Sequence, residues 1–249
     1  LIAPSQPARP PWRPHASADS RRAGGRVCCR GSGKRWSSMP PQVLITGFEP
    51  FGGGDRNPSA ELARELGGRH GLAADIRAEV LPVVFRKASA AMRDLIADTR
   101  PDIVFAMGLA GGAATLHVER IGANYFSAGP DNEGNRYEDE EVVPRGPAAY
   151  FSTFPIPRML AASRECGVPA RDSLSAGSYC CNEVLYAALH TCAEMSSDVL
   201  DGPRVGFVHL PAFPEMVGEG GGPSMARDVQ FEGLRAMLAA LIDAEEVSA

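Results

Sequence analysis

The sequence predicts an α/β fold: a single-domain, three-layer α/β/α sandwich around a largely parallel (mixed) central sheet. Short apolar runs, which are typical of buried parallel strands, alternate along the chain with apolar residues at helical spacing. Turns rich in glycine and proline separate the two kinds of segment. The 249 residues, 44% of them hydrophobic, are enough to bury a sizeable core.

In the first half of the domain, strands and helices alternate. Asn57 is a good N-cap with Pro58 at the first helical position, and two glycines at 67–68 are expected to end that helix. We predict strands at 42–46, about 76–84, 102–107 and 115–125, and helices from 58 and at about 86–98. In the last strand, alternation places His117 and Glu119 on one face.

The second half begins with a loop-rich region at 126–154, whose acidic run at 138–141 is expected to be solvated surface. Helices follow at about 156–165 and from the cysteine pair to about Met195, with a buried strand at 204–210 between that helix and the last one. A glycine-rich loop at 218–222 precedes the last helix, for which Ser224 is a plausible cap.

Residues 1–38 differ in composition from the rest. They are rich in Pro, Arg, Ser and Gly and contain eight basic residues against one acid, so the remainder carries a net charge of −12. We expect a disordered N-terminal extension at 1–38, with Met39 as a natural start, and a folded domain at 39–249. A transit peptide is the alternative for the leader.

Composition also limits the partners. The acidic body argues against nucleic acid, and no apolar run reaches the length of a membrane span. Two adjacent cysteine pairs are poor disulfide architecture, which favours a reduced, cytoplasmic setting. The five histidines are scattered without zinc spacing, so we expect no metal and no cofactor.

The segment 173–182 carries the strongest chemical signal. A short β-like run ends at a glycine turn, and a helical pattern begins at Cys180 and Cys181. The free N–H groups and positive dipole at a helix start favour a thiolate, which is a nucleophile. Each cysteine could equally be inert core, and spacing cannot choose between them.

A base and an orienting carboxylate are also available. His209 closes a predicted strand, where functional residues of parallel sheets gather, and could take and return a proton. Glu119 is a charged residue within an otherwise apolar segment, so it needs a partner if it is buried. It could orient His209 or pair with Arg120. His117, on the same face as Glu119, competes with His209 as the base. The helix start would supply the oxyanion hole.

Four ordered motifs then resemble pyroglutamyl peptidase type I, a family of cysteine peptidases. The resemblance spans about residues 42–241, and the order Glu, Cys, His matches. The motifs are VLITGFEPFGG at 43–53 with NPS at 57–59, GLAGG at 108–112 with VER at 118–120, SAGSYCCN at 175–182, and GFVHLP at 206–211.

This resemblance implies removal of N-terminal pyroglutamate from peptides by a Cys181 nucleophile, with His209 as the base and Glu119 as the orienting carboxylate. It also implies an α/β/α globule, commonly a homotetramer, that needs no cofactor. The lactam ring would lie between Phe48 and Phe51, with Asn57 of the same motif as a further substrate-binding candidate.

Ala113 and Ala128 stand where the family usually has arginine, which leaves a second hypothesis. The chain would then be a non-catalytic or altered-specificity relative that binds lactams or blocked peptides. The glycine loops suggest a third hypothesis, a phosphate-binding enzyme, but their spacing is not that of a phosphate loop.

Overall fold

The structure is a computed structural model that describes residues 39–69, 71–195, 202–218 and 221–246. All of them belong to one compact unit of the chain. The expected disordered extension at 1–38 lies outside the described residues. No helix in the described part of the chain is long and apolar enough to cross a membrane.

The predicted α/β class is confirmed by a mixed, mostly parallel six-stranded sheet. Its order is β2-β1-β3-β10-β4-β9, in which β4 runs antiparallel to β10 and the other neighbouring strands are parallel. The strands of this sheet are β1 (Gln42–Phe48), β2 (Asp75–Leu81), β3 (Ile103–Leu109), β4 (Leu116–Glu119), β9 (Ala170–Ser173) and β10 (Arg204–Leu210).

Five helices cover the two faces of this sheet. The core on one face is built with α1, α3 and α5, and the core on the other with α2 and α4. The arrangement is therefore three layers, as predicted. The helices are α1 (Pro58–Arg69), α2 (Lys87–Thr99), α3 (Ile156–Glu165), α4 (Cys180–Met195) and α5 (Arg227–Glu246), with a short 3₁₀ turn at Pro214–Met216.

The strand predicted at 115–125 is two strands. The chain leaves the central sheet at Arg120, whose N–H bonds to the Ser173 carbonyl while its own carbonyl accepts from Ser152 N–H. After this break the chain pairs with the region predicted as loop-rich, which contains short strands. They form two small sheets, in which β5 (Ile121–Ala123) pairs with β8 (Ala149–Phe151) and β6 (Phe126–Ala128) pairs with β7 (Tyr137–Glu140).

Two helix ends also differ from the prediction. Helix α1 continues through its glycines, because Gly67 packs against β2, where an added Cβ would lie 2.8 Å from the Ala78 Cβ. Helix α5 begins at Arg227, so Ser224 is not its cap. The preceding segment is instead fixed by long-range and local bonds, since Met225 N–H donates to the Ala212 carbonyl and buried Gln230 donates to the Met225 carbonyl.

Candidate active site

The sheet register brings the predicted base and carboxylate together. His209, near the end of β10, lies opposite His117 on β4, and Glu119 lies opposite Phe207. Cross-strand partners and residues two apart project from the same face. Glu119, His117 and His209 therefore share the face covered by α2 and α4, as alternation predicted for the first two.

Glu119 and His209 form a direct, buried contact. The His209 Nδ1 atom lies 2.8 Å from Glu119 Oε1, and the two residues are 8% and 1% exposed. This bond fixes the plane of the imidazole ring and leaves Nε2 as the nitrogen free for proton transfer.

Cys181 is positioned by the residue that follows it. The Asn182 amide donates to the carbonyls of Ala123 (2.9 Å) and Tyr125 (2.7 Å), and its Oδ1 accepts from Ala123 N–H at 2.9 Å. These bonds fasten the first turn of α4 to β5. The helix can therefore hold the thiol at a fixed place above the sheet.

Gly108 makes room for the thiol. A Cβ at this position would lie 2.8 Å from the Cys181 sulfur and 2.8 Å from a ring carbon of Phe207. Gly108 is also the register partner of His209 on the neighbouring strand. The close approach therefore places the sulfur beside the His209 imidazole.

The pKa of His209 depends on its contacts with Cys181 and Glu119. Burial alone lowers it, but the charge of Cys181, a hydrogen bond with the Cys181 side chain and the bond to Glu119 outweigh burial and raise the pKa to about 9. The imidazole therefore favours its charged form when a thiolate lies next to it.

The structure also distinguishes the candidates that spacing left open. Cys180 is 1% exposed, and burial, followed by the charge of Glu183, raises the pKa of its thiol strongly. His117 has its Nδ1 3.4 Å from Arg171 Nη2, whereas Glu119 Oε1 is bonded to His209. Position thus favours Cys181 and His209 over their neighbours.

A cavity of about 270 Å³ opens at this thiol. Five of the six predicted site residues line it, and the sixth, Glu119, is bonded to His209, which is one of the five. The lining residues are Phe48, Phe51, Asn57, Cys181 and His209, the alternative cysteine Cys180, and Val83, Leu109, Ala176 and Tyr179, which sequence reasoning missed.

Two of the missed residues had a signal in the sequence. Leu109 ends β3 and Val83 follows β2, and functional residues are expected at the carboxyl ends of parallel strands. Tyr179 directly precedes the cysteines, and its ring lies 6.0 Å from that of Phe51.

Ala113 and Ala128, where the family usually has arginine, do not line the cavity.

Asn57 reaches the cavity but its polar atoms are bonded within the chain. Its Nδ2 donates to the Glu49 carbonyl at 3.0 Å, and its Oδ1 accepts from the Ser59 N–H and hydroxyl at 3.1 and 2.8 Å. Asn57 thereby ties the loop that carries Phe48 and Phe51 to the start of α1, as the predicted N-cap would.

A second loop, residues 129–135, fixes the cavity walls and was not predicted to take part. Asn132 Nδ2 donates to Glu49 Oε1 and to the Pro50 carbonyl, and Asn132 N–H donates to the Val83 carbonyl. Asp131 accepts the N–H of Phe85 at 3.0 Å. The loop therefore joins the phenylalanine loop to the segment after β2.

The described residues include no group of three or more His, Cys, Asp or Glu side chains that could hold a metal ion. The four described cysteines are free thiols, and Cys181 is the partly exposed one of the adjacent pair. The site brings together a thiol, an imidazole and a carboxylate.

Comparison with known proteins gives a consistent assignment. The profile of the pyroglutamyl peptidase family matches residues 41–244. Pyrrolidone-carboxylate peptidase from Pyrococcus furiosus is 40% identical over 200 residues, covering 78% of this chain and 94% of the relative. That from Streptomyces coelicolor is 44% identical over 200 residues, covering 80% and 91%.

Solved structures agree with the sequence matches. A mutant pyrrolidone carboxyl peptidase from Pyrococcus furiosus superposes with a TM-score of 0.77 at 39% identity, covering 82% of this chain and 99% of that one. Because the family profile also matches most of the chain, the chain belongs to the pyroglutamyl peptidase family.

Proposed function

We propose that this chain is a cysteine exopeptidase that removes an N-terminal pyroglutamyl residue from peptides through a thioester acyl-enzyme. The observation that carries the proposal is the chain of contacts from Glu119 to His209 to Cys181, beside a cavity walled by Phe48 and Phe51. A thiol next to a buried, oriented imidazole is the arrangement needed for acyl transfer.

In the acylation step, the Cys181 thiolate attacks the pyroglutamyl carbonyl carbon. A carbon–sulfur bond forms, the carbon–nitrogen bond to the next residue breaks, and His209 Nε2 gives its proton to the departing amine. In deacylation the neutral imidazole takes a proton from water, whose oxygen attacks the thioester and releases pyroglutamate. Glu119 holds the ring and stabilises its charged form throughout.

The oxyanion formed in both steps needs N–H donors. The N–H groups of Asn182 and Glu183 are already bonded to the Tyr179 carbonyl, at 3.1 and 3.2 Å. We therefore assign this role to the N–H of Cys181, which comes earlier in the first turn of α4. A single such donor contributes roughly 3–4 kcal/mol to lowering the barrier.

The cavity suits a small neutral ring. Phe48 and Phe51 offer apolar and aromatic surface to a flat lactam, and the neighbouring backbone can read its amide group. Burial raises the pKa of Tyr179 to about 12, so its hydroxyl stays protonated and donates to the Pro130 carbonyl. Asn57 contributes by holding the phenylalanine loop in place.

Further parts of the proposal concern the whole protein. We place the catalytic domain at 39–249, expect it to need no cofactor, and expect a cytoplasmic homo-oligomer, a tetramer by the family resemblance. The family profile, which matches 41–244, supports the domain boundary. The oligomer and the compartment stay predictions that sizing chromatography and localisation of a tagged chain would check.

Release of a fluorophore from pyroglutamyl aminomethylcoumarin tests the function directly. We expect Cys181→Ser and His209→Ala each to abolish release and Cys180→Ser to retain it, because only Cys181 contacts the imidazole. His117→Ala is the matched control for His209→Ala. Binding of pyroglutamyl peptides without turnover by the wild type would instead support the non-catalytic relative.

A further inference from the structure

A row of residues crosses the sheet at the level of the thiol. Gly108 on β3, His209 on β10, His117 on β4 and Arg171 on β9 are successive register partners. Partners on neighbouring strands project from the same face and lie about 4.8 Å apart. The row therefore leads from the thiol, which lies against Gly108, through the base to the edge strand of the sheet.

The two ends of this row would contact different parts of a substrate. On the far side of β3 lies β1, which ends at Phe48 in the wall of the lactam cavity. The departing amine must lie within reach of His209 Nε2 to receive a proton. With the lactam on the β1 side, the remainder of the peptide extends from His209 over His117 and Arg171.

His117, on the path expected for the departing peptide, is a neutral group. Burial, followed by the charge of Arg171, lowers its pKa, so it is uncharged at neutral pH. Its Nδ1 faces Arg171 Nη2 at 3.4 Å. Because a guanidinium can only donate, this Nδ1 is the acceptor and the ring proton is on Nε2.

Arg171 is exposed, and the hydrogen bonds that it makes with other described residues are to uncharged groups. Besides His117, its Nη1 donates to the Asp172 backbone carbonyl at 3.4 Å. The Asp172 carboxylate is 2.6 Å from Arg120 Nε, and that bond lowers its pKa more than the charge of Arg171 does. The guanidinium therefore keeps donors and charge available for a carboxylate, on a chain whose residues 39–249 carry a net charge of −12.

The distances limit which part of a substrate can reach this charge. Arg171 lies two strands, about 10 Å, from His209, and an extended peptide advances about 3.3–3.6 Å per residue. A long arginine side chain closes part of that gap. A carboxylate on the first or second residue after pyroglutamate can therefore meet it.

We propose that Arg171, steadied by His117, binds a carboxylate of the departing peptide, so that the enzyme favours substrates with an acidic residue at one of these two positions. This specificity rests on the proposed function, including the place of the lactam ring on the β1 side. An exposed contact between opposite charges corresponds to a preference of about two- to fivefold.

The test compares kcat/KM for matched acidic and amide substrates. One pair is pyroglutamyl-glutamyl-alanine amide and pyroglutamyl-glutaminyl-alanine amide, and the other moves the variable residue one position later. In at least one pair we expect the acidic peptide to be favoured about two- to fivefold at low salt, and less at high salt. Arg171→Gln should bring the ratio to about one and leave hydrolysis of pyroglutamyl aminomethylcoumarin unchanged.

Arg164→Gln, an equal change of charge at an exposed position on α3, is the matched control and should keep the preference. Equal rates for acidic and amide peptides in both pairs, or a preference that survives Arg171→Gln, would overturn the inference while coumarin release upholds the proposed function. Absence of coumarin release by the wild type would overturn both.

Discussion

Glu119 is a buried carboxylate whose charge must be compensated inside the molecule. It is 1% exposed, and its Oε2 has no hydrogen-bond partner among the described residues. A buried charge of this kind is costly unless an opposite charge lies next to it. His209 can supply that charge, and Cys181 together with Glu119 favours the imidazolium, which is the acid that the proposed mechanism requires.

The first prediction concerns the alkaline limit of activity. The folded pKa of His209, about 9, lies above its ordinary value of 6.5. The imidazolium, and the stability that its pairing adds, is therefore fully present below about 6.5 and lost as the pH rises through about 9. We expect kcat/KM for pyroglutamyl aminomethylcoumarin to fall on the alkaline side with an apparent pKa near 9.

The thiol and the imidazole titrate as a pair, so a titration of His209 without the thiol gives an independent check of its raised pKa. An NMR titration of His209 in Cys181→Ser should give a lower pKa than in the wild type, since the largest raising influence is gone. An alkaline limb near 6.5, or an unchanged His209 titration in Cys181→Ser, would contradict the account.

Sequence reasoning named residues that the structure brings together, but it left two choices open at this scale. Cys180 and Cys181 are adjacent, so no pattern of spacing separates them, and burial of the first is a property of tertiary packing. His117 and His209 face the same side of the sheet because they are register partners. Only the offset between β4 and β10, which a sequence does not encode locally, brings Glu119 to His209.

At the scale of elements, the position of the thiol depends on how closely the first turn of α4 packs against Gly108 of β3. Gly108→Ala would place a methyl group 2.8 Å from the Cys181 sulfur and 2.8 Å from the Phe207 ring. A shift of about 1 Å at a reacting atom can cost on the order of 100-fold in rate. We expect kcat for the fluorogenic substrate to fall by about that factor, measured on protein that still unfolds cooperatively.

Gly111→Ala is the matched control for this change. A Cβ at Gly111 would meet nothing within 4 Å, and the residue lies in the turn that follows the same strand. Its activity should stay close to that of the wild type. Equal activity of Gly108→Ala and Gly111→Ala would show that the sulfur does not lie where the structure places it.

Element boundaries were predictable where local signals act alone. The strand at 204–210 and the helix at 156–165 have the predicted bounds. The start of α5 was wrong because Gln230 and Met225 bind the segment after β10, a long-range contact. The break at Arg120 was missed for a similar reason, since its partners Ser152 and Ser173 are distant in sequence.

At the scale of the molecule, alternating strands and helices were enough to predict three layers. The antiparallel placement of β4 was not foreseeable, and it matters for the site. Because β9 is parallel to β4, it runs against β10 and ends level with Glu119. The loop 174–179 must therefore bring the chain back to the thiol, where the sequence predicted only a glycine turn between a short β-like run and the cysteines.

The domain boundary gives a prediction at this scale. The contacts that form the site among the described residues lie between residues 48 and 209. A chain that starts at Met39 should therefore match the 249-residue chain in kcat/KM and in melting temperature. A large loss of either in the shorter chain would show that residues 1–38 take part in folding or catalysis.

The central claim, a thioester on Cys181, is tested most directly by acid quenching of turnover followed by peptide mapping. The account predicts a pyroglutamyl group on the sulfur at 181, still formed in Cys180→Ser and lost in Cys181→Ser. A pyroglutamyl group on Cys180, or turnover that persists in Cys181→Ser, would contradict it.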